Sequence, residues 1–372
     1  MIITRHLKTI KKLGITGCKD HFKTKFNKKK FAYLYKQKAL SHSVFLNKNI
    51  NLEKLKQKDF VSKILDNIKI EQDYTLKQAN LACSNCFNLL GSGEICFKEN
   101  QIPWQHDFKL KKEPTKKLLF YQDIKVATPE NLNFDDYSFD IKVPWELSRF
   151  QHLYYLGQAY FINNKELYAK TFCNQVSDWI DKNPYLLGVN WVCPMEVGIR
   201  AINLIYGFYS FKDSPSIDNK FWQKLTNSLY NHAIYLQNNW ENWGQTNNHY
   251  LSDLIGYLYL CFFFDDLKHF QKQKHKFIKK ILHEFDKQIL PDGTSYEGST
   301  NYHKLVTEIF LHFYLLCQTD NISLPDSFIK KFKKMQDFID DCTDSNGNFV
   351  QIGDNDSGYI SLPRLWANDN QK

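Results

Sequence analysis

With 372 residues, 43% of them hydrophobic, the chain is long enough for one large domain or two ordinary ones and too apolar for a disordered segment. Its net charge of +9 sits at the start: residues 1–40 hold 12 Lys/Arg against Asp20 alone, a net of +11, which leaves −2 for the rest and argues against an extended nucleic-acid surface. No run of about 20 apolar residues and no apolar segment with a small-residue cleavage site is present, so neither a spanning helix nor a secretory signal is predicted.

The first element is a basic N-terminal arm, 1–40, densest at Lys28-Lys29-Lys30. Such a run reads as a solvated face, suited to an anionic polymer, a lipid surface or a nucleic acid. Helices are predicted over 47–68 and 75–91, followed by loops with short strands around Leu89–Glu94 and Ile102–Phe108. Nine Cys are scattered along the chain, several inside apolar helical runs, and read as free thiols. Cys83-Ser-Asn-Cys86 is a lone CxxC with no second pair, so no zinc site is predicted.

From residue 145 the chain is helix after helix. Apolar residues recur at three- and four-residue spacing over 145–162, 165–182, 194–211, 219–238, 247–264, 267–288, 302–318 and 326–341. Alternate members start near 145, 194, 247 and 302, a period of roughly 50 residues that signals stacked or ring-closed helical hairpins. These alternate helices are apolar nearly all round, as in Ile199, Ile202, Leu204 and Ile205, whereas 267–288 is rich in lysine; an inner set of helices wrapped by an outer set explains both. The end is turn-rich, with β-like pieces at Asn348–Ile352 and Tyr359–Leu362. Asp354 and Asp356 lack the bidentate Glu of a calcium loop, so no metal is expected.

Each inner helix opens on polar or aromatic groups: Trp145-Glu146, Pro194-Met195-Glu196, Asn247-Asn248-His249, and Glu297 to Tyr302. Parallel inner helices would gather these around one concavity. Glu146 and Glu196 read equally as first-turn acids that stabilise the helix dipole, and Asn247 as a cap. Asn248, helped by His249 and free backbone N–H groups, has the donors to neutralise a sugar carboxylate. Tyr302 or a nearby His would take the adjacent proton, with His249 and His303 as candidate neighbours that let the tyrosine act as a base near neutrality. Trp104, Trp145, Trp191, Trp240 and Trp243 would stack on sugar rings or pack.

At these residues the chain resembles the heparinase II/III family of polysaccharide lyases, specifically the heparin-sulfate lyase N-terminal domain, from about Leu89 to Leu365. The resemblance rests on LLGSGE at 89–94, WQHDF at 104–108, VPWELSRFQHLYYLGQAY at 143–160, MEVGIRAIN at 195–203, TNNHY at 246–250, DGTSYEGSTNYHK at 292–304 and QIGDNDSG at 351–358. It implies an all-α fold, an (α/α) toroid of helical hairpins over 41–372, and cofactor-free β-elimination on an acidic, uronic-acid-containing polysaccharide, whether heparan-like, alginate-like or a surface glycan. By resemblance Asn248 matches the position that neutralises the carboxylate and Tyr302 the catalytic tyrosine, with His249 beside them. Asn247, Trp145, Glu146, Trp191, Glu196, Trp243, Glu297 and His303 are the expected substrate contacts. Family members typically continue into a β-sandwich that supplies a further histidine, and are usually exported. This chain stops at Lys372, so an incomplete toroid is expected, with a separate β-sandwich domain or chain as partner. The alternatives are a toroid that binds surface polysaccharide without cleaving it, half of a split lyase, or a glycoside hydrolase using two carboxylates among Glu146, Glu196, Glu297 and Asp354.

Overall fold

The structure, a computed structural model, describes residues 22–41, 50–58, 61, 71–99, 101–109, 118–124, 140–242, 244–355 and 358–360. The chain divides into two compact units, Lys36–His232 and Met1–Tyr35 together with Ala233–Lys372. Residues 22–40 form helix α1, so the second half of the basic arm has regular structure.

In the unit Lys36–His232, α2 (Leu52–Gln57) and α3 (Gln72–Cys83) lead into two short antiparallel strands, β1 (Cys86–Phe87) and β2 (Ile95–Cys96). The helix expected over 75–91 stops at Cys83 because Asn85 turns into the left-handed region, φ 53°, and β1 begins. Cys86 and Cys96 form a disulfide, which corrects the free-thiol expectation for this pair and takes both sulfurs out of metal binding. The expected helix 145–162 is two helices, α4 (Lys142–Ser148) and α5 (Leu153–Asn163). The break falls at Phe150, φ 60°, whose ring is fully buried against Trp104 and Trp179. Burying that ring is worth about 1.5–3 kcal/mol, enough to offset a left-handed backbone.

Helices α6 (Glu166–Lys182) and α7 (Pro194–Phe211) then fold back. Helix α5 packs on α3, α6 and α7. Gly157 permits the close approach of α5 to α7, for a Cβ there would lie 2.5 Å from Ser210 Oγ and 2.9 Å from the Tyr206 ring. Helix α7 is buried along almost its whole length, as its apolar circumference requires. Helix α8 (Asn219–Asn238) follows.

In the other unit α9 (Asn248–Phe263) packs on α10 (Lys268–Gln288) and α11 (Thr300–Thr319), and α11 packs on α12 (Asp326–Asp341). Helix α9 is buried nearly throughout. Helix α10 buries Phe270, Phe277, Ile278, Ile281 and Phe285 and leaves lysines such as Lys268, Lys272 and Lys276 in water. The roughly 50-residue period is written into the hydrogen bonds of both units. Tyr206 reaches the Tyr154 carbonyl, Asn203 the Arg149 carbonyl, and Tyr259 the His312 ring, at separations of 52, 54 and 53 residues. The β-like piece expected at Asn348–Ile352 reduces, among the described residues, to a single bridge between Thr343 and Phe349, and the one expected at Tyr359–Leu362 runs outside the described residues. Among the described residues no helix is long and apolar enough to cross a membrane.

Candidate functional site

The opening of α9 is built by three side chains in sequence. Asn247 caps it: its backbone is extended and its Oδ1 accepts the His249 N–H at 3.2 Å. Asn248 is the first helical residue, and its N–H has no partner within the helix. That N–H donates to Glu297 Oε1 at 3.0 Å, and Asn248 Nδ2 donates to Glu297 Oε2 at 2.8 Å. Glu297 thus sits at the positive end of the α9 dipole and fixes the Asn248 amide. An amide nitrogen carries two hydrogens, and Glu297 accepts one of them. Burial pushes the Glu297 carboxyl up, against the hydrogen bonds from Asn248, which lower it.

His249 projects further out, its side chain 42% exposed, with Nδ1 3.3 Å from each carboxylate oxygen of Glu241. Glu241 is held in turn from beneath: its N–H donates to Asp253 Oδ2 at 2.7 Å. Asp253 is fully buried and its Oδ1 has no hydrogen-bond partner. Burial first, then the charge of Glu241, pushes its carboxyl well above the usual carboxylate range. Sequence reasoning missed both acids. A signal was present for each: Glu241 is the single acid in the polar run before Asn248, and Asp253 the single charged residue of α9.

The second motif is fastened to the first. Tyr296 donates to the Thr246 carbonyl at 2.5 Å, while Thr246 Oγ1 donates to Glu284 and accepts from Lys287. The Tyr296 hydroxyl is pushed up to about 12 by burial, with Glu297 and Glu284 adding to it, so it stays a donor. Ser299 caps α11: its Oγ accepts the Tyr302 N–H at 3.2 Å and donates to the Asp354 carbonyl at 2.6 Å. Tyr302 is half-buried in that first turn. The Asn248–Glu297 bond joins the start of α9 to the loop just before α11, and the Tyr259–His312 bond joins the two helices further along, so they run parallel and their polar openings share one end.

The other expected site residues divide. His303 is buried; its Nδ1 accepts the Ser295 N–H and its Nε2 donates to the Met335 carbonyl, so it braces the loop rather than facing a substrate. Burial holds its imidazole below the usual histidine range. Glu146 and Glu196 both clasp buried Arg149, at 2.5 and 2.7 Å; in this structure these carboxylates neutralise an internal cation. Trp191 is 2% exposed and, with Trp179, flanks the Arg200 guanidinium, so no ring face is left for a sugar. Trp145 is half-buried and donates to the Val189 carbonyl. Trp243 and Asp356 lie outside the described residues.

Comparison with known proteins supplies the context. The model of the heparinase II/III N-terminus matches residues 13–355. The chain is 29% identical over 203 residues to a heparin-sulfate lyase of Pedobacter heparinus, covering 53% of this chain and 30% of the relative. It is 26% identical over 221 residues to one of Bacteroides stercoris, covering 54% and 32%. The matches span about a third of the curated relatives' length. Among solved structures, a heparan sulfate lyase from Pedobacter heparinus aligns with TM-score 0.54 and 22% identity over 94% of this chain and 51% of that one. A heparinase III aligns with TM-score 0.56 and 20% identity over 78% and 44%. These likenesses show the fold, and the all-α, (α/α)-toroid expectation agrees with them. The matched segment runs through every helix from α1 to α12 and through both polar openings, and the chain belongs to the heparinase II/III family.

Proposed function

We propose that this chain carries the toroid part of a polysaccharide lyase that cleaves an acidic, uronic-acid-containing polysaccharide of the glycosaminoglycan type by β-elimination. The observation that carries the reading is Asn248, set at the first turn of α9 with its amide oriented by Glu297 and His249 beside it. A uronate carboxylate placed there meets the amide hydrogen that Glu297 does not take, at a helix end whose dipole favours anions. Neutralising that carboxylate makes the neighbouring C5–H acidic enough to lose its proton. Tyr302 as phenolate takes the C5 proton, the C–H pair becomes the C4–C5 double bond, and the C4–O bond breaks. The leaving oxygen is protonated by the phenol so formed. His249, backed by Glu241, is the second proton-handling group.

The hydrolase alternative loses support, since Glu146 and Glu196 are committed to Arg149 and Glu297 to Asn248. The test is the ultraviolet absorbance of unsaturated ends on incubation with heparan sulfate, alginate and related uronate polymers. Asn248→Ala and Tyr302→Phe are each expected to lower product formation by about 100-fold or more. Product formation unchanged in Tyr302→Phe rejects the assigned base. Binding without product in the wild type favours a non-catalytic toroid. Activity that emerges only on adding a β-sandwich chain makes this half of a split lyase.

A further inference from the structure

Helix α1 carries seven lysines and no acid between residues 22 and 40, and its outward face is not simply charged. At about 100° per residue, Phe22, Phe26, Lys29 and Tyr33 fall within about 60° of one another. Phe22, Phe26 and Tyr33 are 50%, 67% and 86% exposed. Lys25 borders this stripe on one side and Lys30 and Lys23 on the other, all exposed. Phe31, on the opposite side, is buried, so the helix is anchored on that side, and Phe26, Lys29 and Tyr33 are exposed on this one. The residues of α1 up to Tyr35 belong to the same compact unit as the helix that opens with Asn248.

We propose that this face of α1 is a second contact for an acidic polysaccharide, holding polymer outside the elimination site. The choice of ligand class rests on the lyase reading; the surface itself does not. The charge calls for a polyanion. The pattern selects its kind: aromatic, aromatic, lysine, aromatic alternates flat stacking platforms with cations, which matches a chain of sugar rings bearing acid groups. A helix that lies in a membrane interface keeps an uninterrupted apolar face, and Lys29 interrupts this one.

The test uses the full chain in a Tyr302→Phe background, which keeps the probes intact. Binding of heparan sulfate and of alginate is measured at low and moderate salt for three forms: the parent, Lys25→Glu/Lys29→Glu/Lys30→Glu, and Phe26→Ala/Tyr33→Ala. The lysine variant is expected to bind about tenfold more weakly with a shallower salt dependence. The aromatic variant should bind several-fold more weakly with the salt slope unchanged. All substituted side chains are exposed, so unaltered thermal melts are expected and verify folding. Equal binding by all three forms, or no binding of either polymer by the parent, overturns the proposal. So does a loss confined to single-stranded oligonucleotides or phosphatidylserine vesicles. Because binding is read without turnover, a failure of the lyase reading leaves this result standing, and the reverse.

Discussion

Asp253 shows at the residue scale how one buried carboxylate can organise a site. It gives one oxygen to the Glu241 N–H and leaves the other without a partner, an arrangement that burial makes costly for the charged form. Its folded pKa is raised above the unfolded value of about 4. The wild type therefore loses stability as pH rises through that range and beyond, up to the folded pKa. Asparagine keeps the acceptor and does not titrate. Asp253→Asn should thus gain melting temperature relative to wild type as pH rises from 4 to 8; a difference that stays constant with pH would contradict this account. On the proposed lyase reading, Glu297→Ala should lower turnover by about 10-fold or more, because it frees the Asn248 amide to rotate, with rescue by Glu297→Gln only in part. Asn248 was legible in the sequence as an amide at a helix opening. Glu297 as its clamp was not, since a 49-residue separation says nothing about contact until α9 and α11 are packed in parallel.

At the scale of elements, helix ends and helix contacts carry different information. The ends of α7, α8, α10 and α12 fall where periodicity and turn residues put them, because Pro, Asn and other turn signals are local. The break between α4 and α5 was hidden, for an aromatic core position at Phe150 outweighs an unbroken helical pattern. Buried Arg149 beside that break bonds Glu146 and Glu196. Arg149→Met leaves two carboxylates buried without a cation and should cost about 3–5 kcal/mol by denaturant unfolding; a loss below 1 kcal/mol would contradict the burial. Gly157→Val should cost about 1–3 kcal/mol through overpacking against Ser210 and Tyr206, whereas the same change at exposed Gly91 creates backbone strain but no clash.

Over the whole molecule, neutral buried histidines set an acid limit. Burial lowers His152 to about 4 and holds His232 and His303 below the usual histidine range. A base with a depressed folded pKa contributes stability that is fully present above the unfolded value of about 6.5 and is lost as pH falls toward the folded one. Melting temperature should decline from about pH 6.5 downward, and His152→Gln should flatten the part of that decline that extends toward pH 4. The amino-acid sequence by itself determined the helical hairpins, their roughly 50-residue period, the polar openings at Asn247–His249 and Glu297–Tyr302, and the family. Those are short-range matters of periodicity, capping and motif order. Tertiary structure alone decided which polar groups gather around Asn248 and which lie in the interior. Glu146, Glu196, Trp191 and His303 share the composition of a binding cleft, yet packing turns them onto Arg149, Arg200 and a loop backbone. Glu241 and Asp253, unremarked in the sequence, are brought beneath His249 because buried charge and hydrogen-bond partners are settled only when distant segments meet.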